Sequence, residues 1–245
     1  MNSRTVQIPT KNGVAQSHFF SSSDGQKRPA VIVYMDAYGI RDALLDMAGR
    51  IASNGYRVLL PNLYYRSGPA RPFDPKIASQ KGPEQDRMRA LFTSINNTLV
   101  TRDTGSFLEF LEREPTVDAR KIGCVGYCMG GAFALSAAGT FSQKIAAAAS
   151  LHGARLATDQ PDSPHLLAPA MRGEIYVGIA GLDQHFTPEE KQRLESALQS
   201  AQVKHTLEVY PGAKHGFAVN DTLAYDKQAA ELHWQRILKL FADNL

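Results

Sequence analysis

Five short apolar runs and one alternating run, separated by stretches of helical period, constrain this chain more than any other feature. Residues 29–35 (PAVIVYM), 56–61 (YRVLLP), 121–126 (KIGCVG), 145–151 (IAAAASL) and 174–180 (EIYVGIA) are short and apolar, and most are bounded by polar residues or glycine. That is the signature of strands buried on both faces. Residues 205–210 (HTLEVY) add an alternating run. Between them, 41–53 places Leu44, Leu45, Ala48, Ile51 and Ala52 on one helical face and stops at Asn54-Gly55. Residues 103–114 repeat the amphipathic pattern, and 188–199 starts with Thr187 as N-cap, Pro188 at the first helical position and acidic residues in the first turn. A last helix is expected over 222–241. Strands alternating with helices predict an α/β architecture, a mostly parallel central sheet with helices on both faces. Residues 5–8 and 14–20 flank Lys11-Asn12-Gly13 and predict an N-terminal antiparallel hairpin at the sheet edge. Residues 67–85, rich in Pro, Gly and basic residues and without a period, are expected to form a long loop over the carboxyl end of the sheet.

At 245 residues, with 43% hydrophobic and 21% charged, the chain is expected to be one domain, 1–245, rather than a disordered or membrane-spanning protein. The net charge is +3, and no block of five like charges could grip a phosphate backbone, so neither nucleic acid nor a membrane is an expected partner. The first residues, MNSRTVQIPTKNG, lack a signal-peptide core, and cytoplasmic residence is the expectation. No HExxH, paired CxxC, GxGxxG after the first strand or Walker loop is present, so no metal or nucleotide cofactor is expected. Cys124 and Cys128 are too close along a strand and its turn to suggest a disulfide framework.

The reactive feature is Gly126-Tyr127-Cys128-Met129-Gly130, where a buried strand turns sharply into a helix. A nucleophile elbow needs small residues two before and two after the nucleophile, because that residue sits in a strained conformation with backbone pressed against it. Gly126 and Gly130 satisfy this. The helix N-terminus favours the thiolate of Cys128, and the N–H of Met129 is placed to receive an oxyanion. An isolated cysteine is more often a packing residue. Cys124 is read that way, and the glycine spacing reverses the reading for Cys128.

A thiol nucleophile needs a base and a group that orients it. Asp183 follows the strand 174–180 and His215 follows the strand 205–210, giving the order nucleophile, acid, histidine. His18 and His205 fall in strands, His233 in the last helix and His165 in a Pro-rich loop, all as surface or packing residues. His185 is set aside as too close to Asp183 to face it. His152, after the strand 145–151, is the rival base but precedes Asp183, and a pocket-lining role is assigned to it. Asp36, past a central strand, competes with Asp183.

With these residues in place the chain resembles the dienelactone hydrolase family of α/β-hydrolases. The resemblance rests on Gly126-Tyr127-Cys128-Met129-Gly130-Gly131, on Asp183 with Phe186 and Pro188, on His215-Gly216-Phe217-Ala218, on Asp36-Ala37-Tyr38-Gly39 and on Pro61-Asn62-Leu63-Tyr64. It implies a Cys-His-Asp triad of Cys128, His215 and Asp183, a thioester intermediate, a small ester or lactone substrate and a second oxyanion N–H at Ala37. In the family the residue at position 36 is commonly a glutamate that interacts with the resting thiol; Asp36 is one methylene shorter. The family's substrate-binding arginine soon after the histidine is absent, with Val219 and Asn220 in that neighbourhood. Arg66, Arg87 and Arg89 are candidate anion contacts, though a surface role is the reading favoured for each, and Tyr38, Tyr64 and Tyr127 flank the expected cleft, as pocket lining or as core or rim packing. A hydrolase-like scaffold that binds a ligand without catalysis, or a thiol-reactive protein, is the competing reading. A monomer or small homo-oligomer fits either.

Overall fold

A computed structural model describes residues 2–22, 25–69 and 71–245. Chain order is β1 (Asn2–Thr10), β2 (Gly13–Ser21), β3 (Arg28–Tyr34), α1 (Asp42–Ser53), β4 (Arg57–Pro61), α2 (Pro75–Ala78), α3 (Pro83–Thr93), α4 (Asn97–Arg113), β5 (Val117–Tyr127), α5 (Met129–Thr140), β6 (Ile145–Leu151), β7 (Glu174–Ala180), α6 (Pro188–Ser200), β8 (His205–Tyr210) and α7 (Lys227–Asn244). The eight strands form one sheet in the order β1-β2-β4-β3-β5-β6-β7-β8. The first two pair antiparallel, β2 meets β4 antiparallel, and every later pairing is parallel.

The central strands are apolar throughout because helices cover both faces. Val31, Ile32, Val33, Val58, Leu59, Cys124, Val125 and Ala148 are all wholly enclosed. Local chemistry sets the helix starts. The Asn96 side chain accepts from Leu99 N at 2.9 Å to begin α4, so that helix starts six residues before the position read from its apolar face. Asp226 accepts from Ala229 N at 3.0 Å and starts α7 later than its periodicity suggested.

The expected long loop over 67–85 is instead partly helical. A 3-10 turn at Tyr65–Ser67 is followed by α2, whose cap Asp74 accepts from Lys76 N at 2.8 Å, and by α3, which opens at Pro83. No residue of α3 is fully buried. It therefore carries no strong apolar period from which it could be read. Arg87 fixes it from the side, bonding to Glu84 and the Arg71 carbonyl and lying 3.6 Å over the Phe73 ring.

Parallel strands bring their carboxyl ends to one edge, where open α/β sheets bind ligands. Asp36, Cys128, His152, Asp183 and His215 all lie just beyond those ends. Among the described residues no helix is long and apolar enough to cross a membrane.

Candidate active site

β5 runs directly into α5 with Cys128 between them, at φ 56° and ψ −119°. A non-glycine residue at positive φ is a strained turn. The glycines on either side leave no alternative. A Cβ on Gly126 would lie 1.9 Å from the Gly130 carbonyl oxygen, and one on Gly130 would lie 2.4 Å from the Tyr34 carbonyl oxygen. The elbow thus rests against the end of β3, bringing Ala37 and Met129 to one wall of the same cavity. Met129 is the first residue of α5, and its amide belongs to the turn that a helix leaves without intrahelical acceptors. Tyr64 ties the two loops together, its hydroxyl donating to the Ala37 carbonyl at 3.1 Å with Met129 Sδ at 3.5 Å.

Opposite stand the loops after β7 and β8. His215 Nδ1 lies 2.8 Å from Asp183 Oδ2, and the Asp183 side chain is only 1% exposed. Asp183 Oδ1 accepts from the His185 N–H at 2.8 Å, which fixes the carboxylate. Since Asp183 accepts the hydrogen bond from Nδ1, the other ring nitrogen is the one left for Cys128. Burial opposes a charge on His215, but the neighbouring Cys128 sulfur and the hydrogen bonds to Asp183 and Cys128, together with the Asp183 charge, outweigh it and push this histidine up to about 10. Burial alone pushes the Cys124 thiol up, and its S–H points at the Ala134 carbonyl inside the core.

Four expected site residues are placed differently. Tyr127 is wholly buried away from the cleft, its hydroxyl 3.4 Å from His233 Nε2 on α7. Successive strand residues face opposite sides of the sheet, and this one takes the α7 side. Tyr64 is also buried, serving the contact just described. His152 does not join the cavity wall: it lies under the elbow, where its Nδ1 accepts from Cys128 N at 3.2 Å. Burial, then the charges of His215 and His233, keep it neutral, and its Nε2 has no hydrogen-bond partner among the described residues. Asp36 does not reach toward the thiol; both its oxygens accept from Arg41, at 2.8 and 2.9 Å.

The cavity that holds Cys128 and His215 measures about 430 Å³. It runs along α5 past Met129, Ala132 and Phe133, is roofed by Met88, Arg89 and Phe92 of α3, and has Tyr38 and Arg155 among its lining residues. Of the arginines singled out from the sequence only Arg89 lines it. Arg66 is bound to the buried Asp103 by two contacts of 2.7 Å, and Arg87 to Glu84. His185, set aside from the sequence, stands edge-on to His215 with ring centroids 4.8 Å apart and lines the cavity. Its position in the same strand-end loop as Asp183 was the signal that could have found it. Among the described residues no group of three or more His, Cys, Asp or Glu is placed to hold a metal.

The model of the dienelactone hydrolase family matches residues 17–245. The chain belongs to this family. Its members' activity makes the protein a hydrolase acting on esters or lactones. Carboxymethylenebutenolidase of Rhodococcus opacus is 25% identical over 228 residues, covering 91% of this chain and 84% of its own. Among solved structures, a dienelactone hydrolase-like promiscuous phosphotriesterase from metagenomic libraries superposes with a TM-score of 0.80 at 22% identity, covering 99% of this chain and 98% of its own. Dienelactone hydrolase of Anabaena variabilis does so at 0.73 and 17%, over 100% and 98%. These two structural likenesses establish the shared α/β fold.

Proposed function

We propose that this dienelactone hydrolase family member cleaves a carboxylic ester or lactone by acyl transfer to Cys128, with His215 as the proton carrier and Asp183 as the group that holds its tautomer. The protein would work as a cytoplasmic, cofactor-free monomer or small homo-oligomer, with all of its groups on one domain, 1–245. The observation that carries the reading is the His215–Asp183 contact of 2.8 Å in the cavity that also exposes the strained Cys128.

In the reaction the Cys128 sulfur forms a bond to the substrate carbonyl carbon while the carbonyl electron pair moves to oxygen. The N–H groups of Met129 and Ala37 are the donors for that oxyanion. When the tetrahedral adduct collapses, the C–O bond breaks and the departing alkoxide takes the His215 proton, leaving a thioester. The charge on sulfur is the first of the effects that raise His215. Once sulfur is acylated that effect is gone, and the imidazole returns toward the range in which it can take a proton from water. Hydroxide adds, the C–S bond breaks, and the acid leaves beside a restored thiolate–imidazolium pair.

The apolar length of the cavity along Ala132 and Phe133 supports acyl groups longer than acetyl. A panel of nitrophenyl esters and lactones, with and without a distal carboxylate, reads the substrate preference. The deciding experiment is Cys128→Ala: turnover of nitrophenyl acetate should vanish while the circular dichroism spectrum is unchanged. Parental turnover in the folded variant would refute the proposal and favour a ligand-binding scaffold.

A further inference from the structure

We propose that Arg41 is a positioning residue for this reaction: locked between Asp36 and Asp221, it holds the loop that carries Ala37 and the loop that carries His215 in fixed relation across the cleft. The proposal rests on the roles given above to Ala37, Cys128 and His215.

Arg41 precedes α1 and Asp221 lies six residues beyond His215. Nη1 donates to Asp36 Oδ1 at 2.8 Å and to the Gly39 carbonyl at 3.1 Å; Nη2 donates to Asp36 Oδ2 and Asp221 Oδ1, each at 2.9 Å; Nε donates to Asp221 Oδ2 at 2.6 Å. A guanidinium has five N–H donors. All five are engaged, on a side chain 7% exposed, so none remains for a substrate anion.

Each end of this bridge continues into the site. On one side Asp36 Oδ1 also accepts from Tyr38 N at 3.0 Å, and Gly39 N donates to the Asp36 carbonyl at 3.2 Å. The backbone around Ala37 is therefore clamped from both flanks. On the other side Thr222, next to Asp221, donates through its hydroxyl to the Gly216 carbonyl at 3.0 Å, and Val219 N donates to that same carbonyl at 3.2 Å. Gly216 is the neighbour of His215. A shift of Asp221 is passed within one turn to the imidazole. The two loops come from opposite halves of the chain, and Arg41 with its two carboxylates joins them by paired, charge-assisted contacts that fix direction as well as distance. Lysine supplies the charge but not the planar fork.

Three variants test the inference: Arg41→Lys, the double variant Asp36→Asn with Arg41→Gln, which leaves no unpaired buried charge, and Asp221→Asn, whose side chain is 32% exposed. With nitrophenyl acetate, kcat should fall about 10- to 100-fold in each, the scale of a misplaced oxyanion donor or base, with KM within about threefold. Alkylation of Cys128 by iodoacetamide builds no oxyanion, so it should slow by a smaller factor in Arg41→Lys. Folded variants that lose melting temperature but keep kcat within about twofold would reduce the bridge to a stability element and overturn the proposal. A raised KM at parental kcat would overturn it in favour of substrate binding by Arg41. Failure of the underlying reading is separable: it would appear as undiminished turnover in Cys128→Ala, whatever the Arg41 variants do.

Discussion

A single methyl group at Gly126 is expected to break the site without touching any reactive atom. An alanine Cβ there would stand 1.9 Å from the Gly130 carbonyl oxygen, where real Cβ contacts stay beyond 3.0 Å, so the two must part by about 1.1 Å, the difference between those distances. The obstruction is backbone, and it cannot rotate aside. Gly130 has little room to retreat, because the Tyr34 and Met35 carbonyl oxygens stand only 2.4 and 2.8 Å from where a Cβ of its own would lie. Overpacking of this kind costs about 3 kcal/mol at the upper end of its usual range. At about 2–4 °C per kcal/mol for a chain of this size, Gly126→Ala should melt about 6–12 °C below the parent. The separation falls between residues two before and two after Cys128, so the elbow itself is displaced by the order of 1 Å, worth about a hundredfold in kcat. Differential scanning fluorimetry and nitrophenyl acetate turnover at a temperature where both proteins are folded measure the two effects independently. A variant with parental melting temperature and kcat within about twofold would show that the elbow tolerates a side chain there, and the argument for its strained geometry would fail.

Gly105→Ala, in the middle of α4, is the converse case: its Cβ would meet the Phe141 ring at 3.7 Å, an ordinary contact, so the variant should gain about 0.5–1 kcal/mol in urea unfolding with unchanged turnover. His215 is raised from 6.5 to about 10, so its charged form stabilises the folded protein fully below about pH 6.5, and that contribution is lost as pH rises through about 10. The stability gap between the parent and His215→Asn should therefore narrow across that window, as read by urea melts at several pH values; a gap that widens with pH would contradict the assigned direction.

What was legible in the chain was whatever is written locally. The buried strands announce themselves in runs such as PAVIVYM, and the elbow in the spacing of Gly126, Cys128 and Gly130. Asp183 and His215 could be found because each follows a strand end. What escaped reading depends on contacts between distant positions. Arg41 and Asp221 are 180 residues apart, and no spacing predicts that they meet, so Asp36 was read against the thiol rather than against its true partner. His185 faces His215 only because two separate strand-end loops converge. Tyr127 was placed in the cleft although the alternation of side chains along β5 sends it toward α7. Helix α3 was missed because none of its residues is fully buried and only Met88, Leu91 and Phe92 pack, half-buried, against the core, which leaves little of the periodicity on which helix recognition depends.

That last property divides the cleft into two kinds of wall. The half built on α5 cannot change without disturbing the sheet, since Met129, Ala132 and Phe133 are packed into it. The half built on α3 is partly open to solvent, and substitutions at such surfaces usually alter stability by only about 0.5 kcal/mol. Evolution, or an engineer, can therefore rewrite the exposed Arg89 to suit a new acyl group at little thermodynamic penalty, and Met88 and Phe92, half-buried against the core, at a moderate one, leaving the nucleophile and its surroundings as inherited.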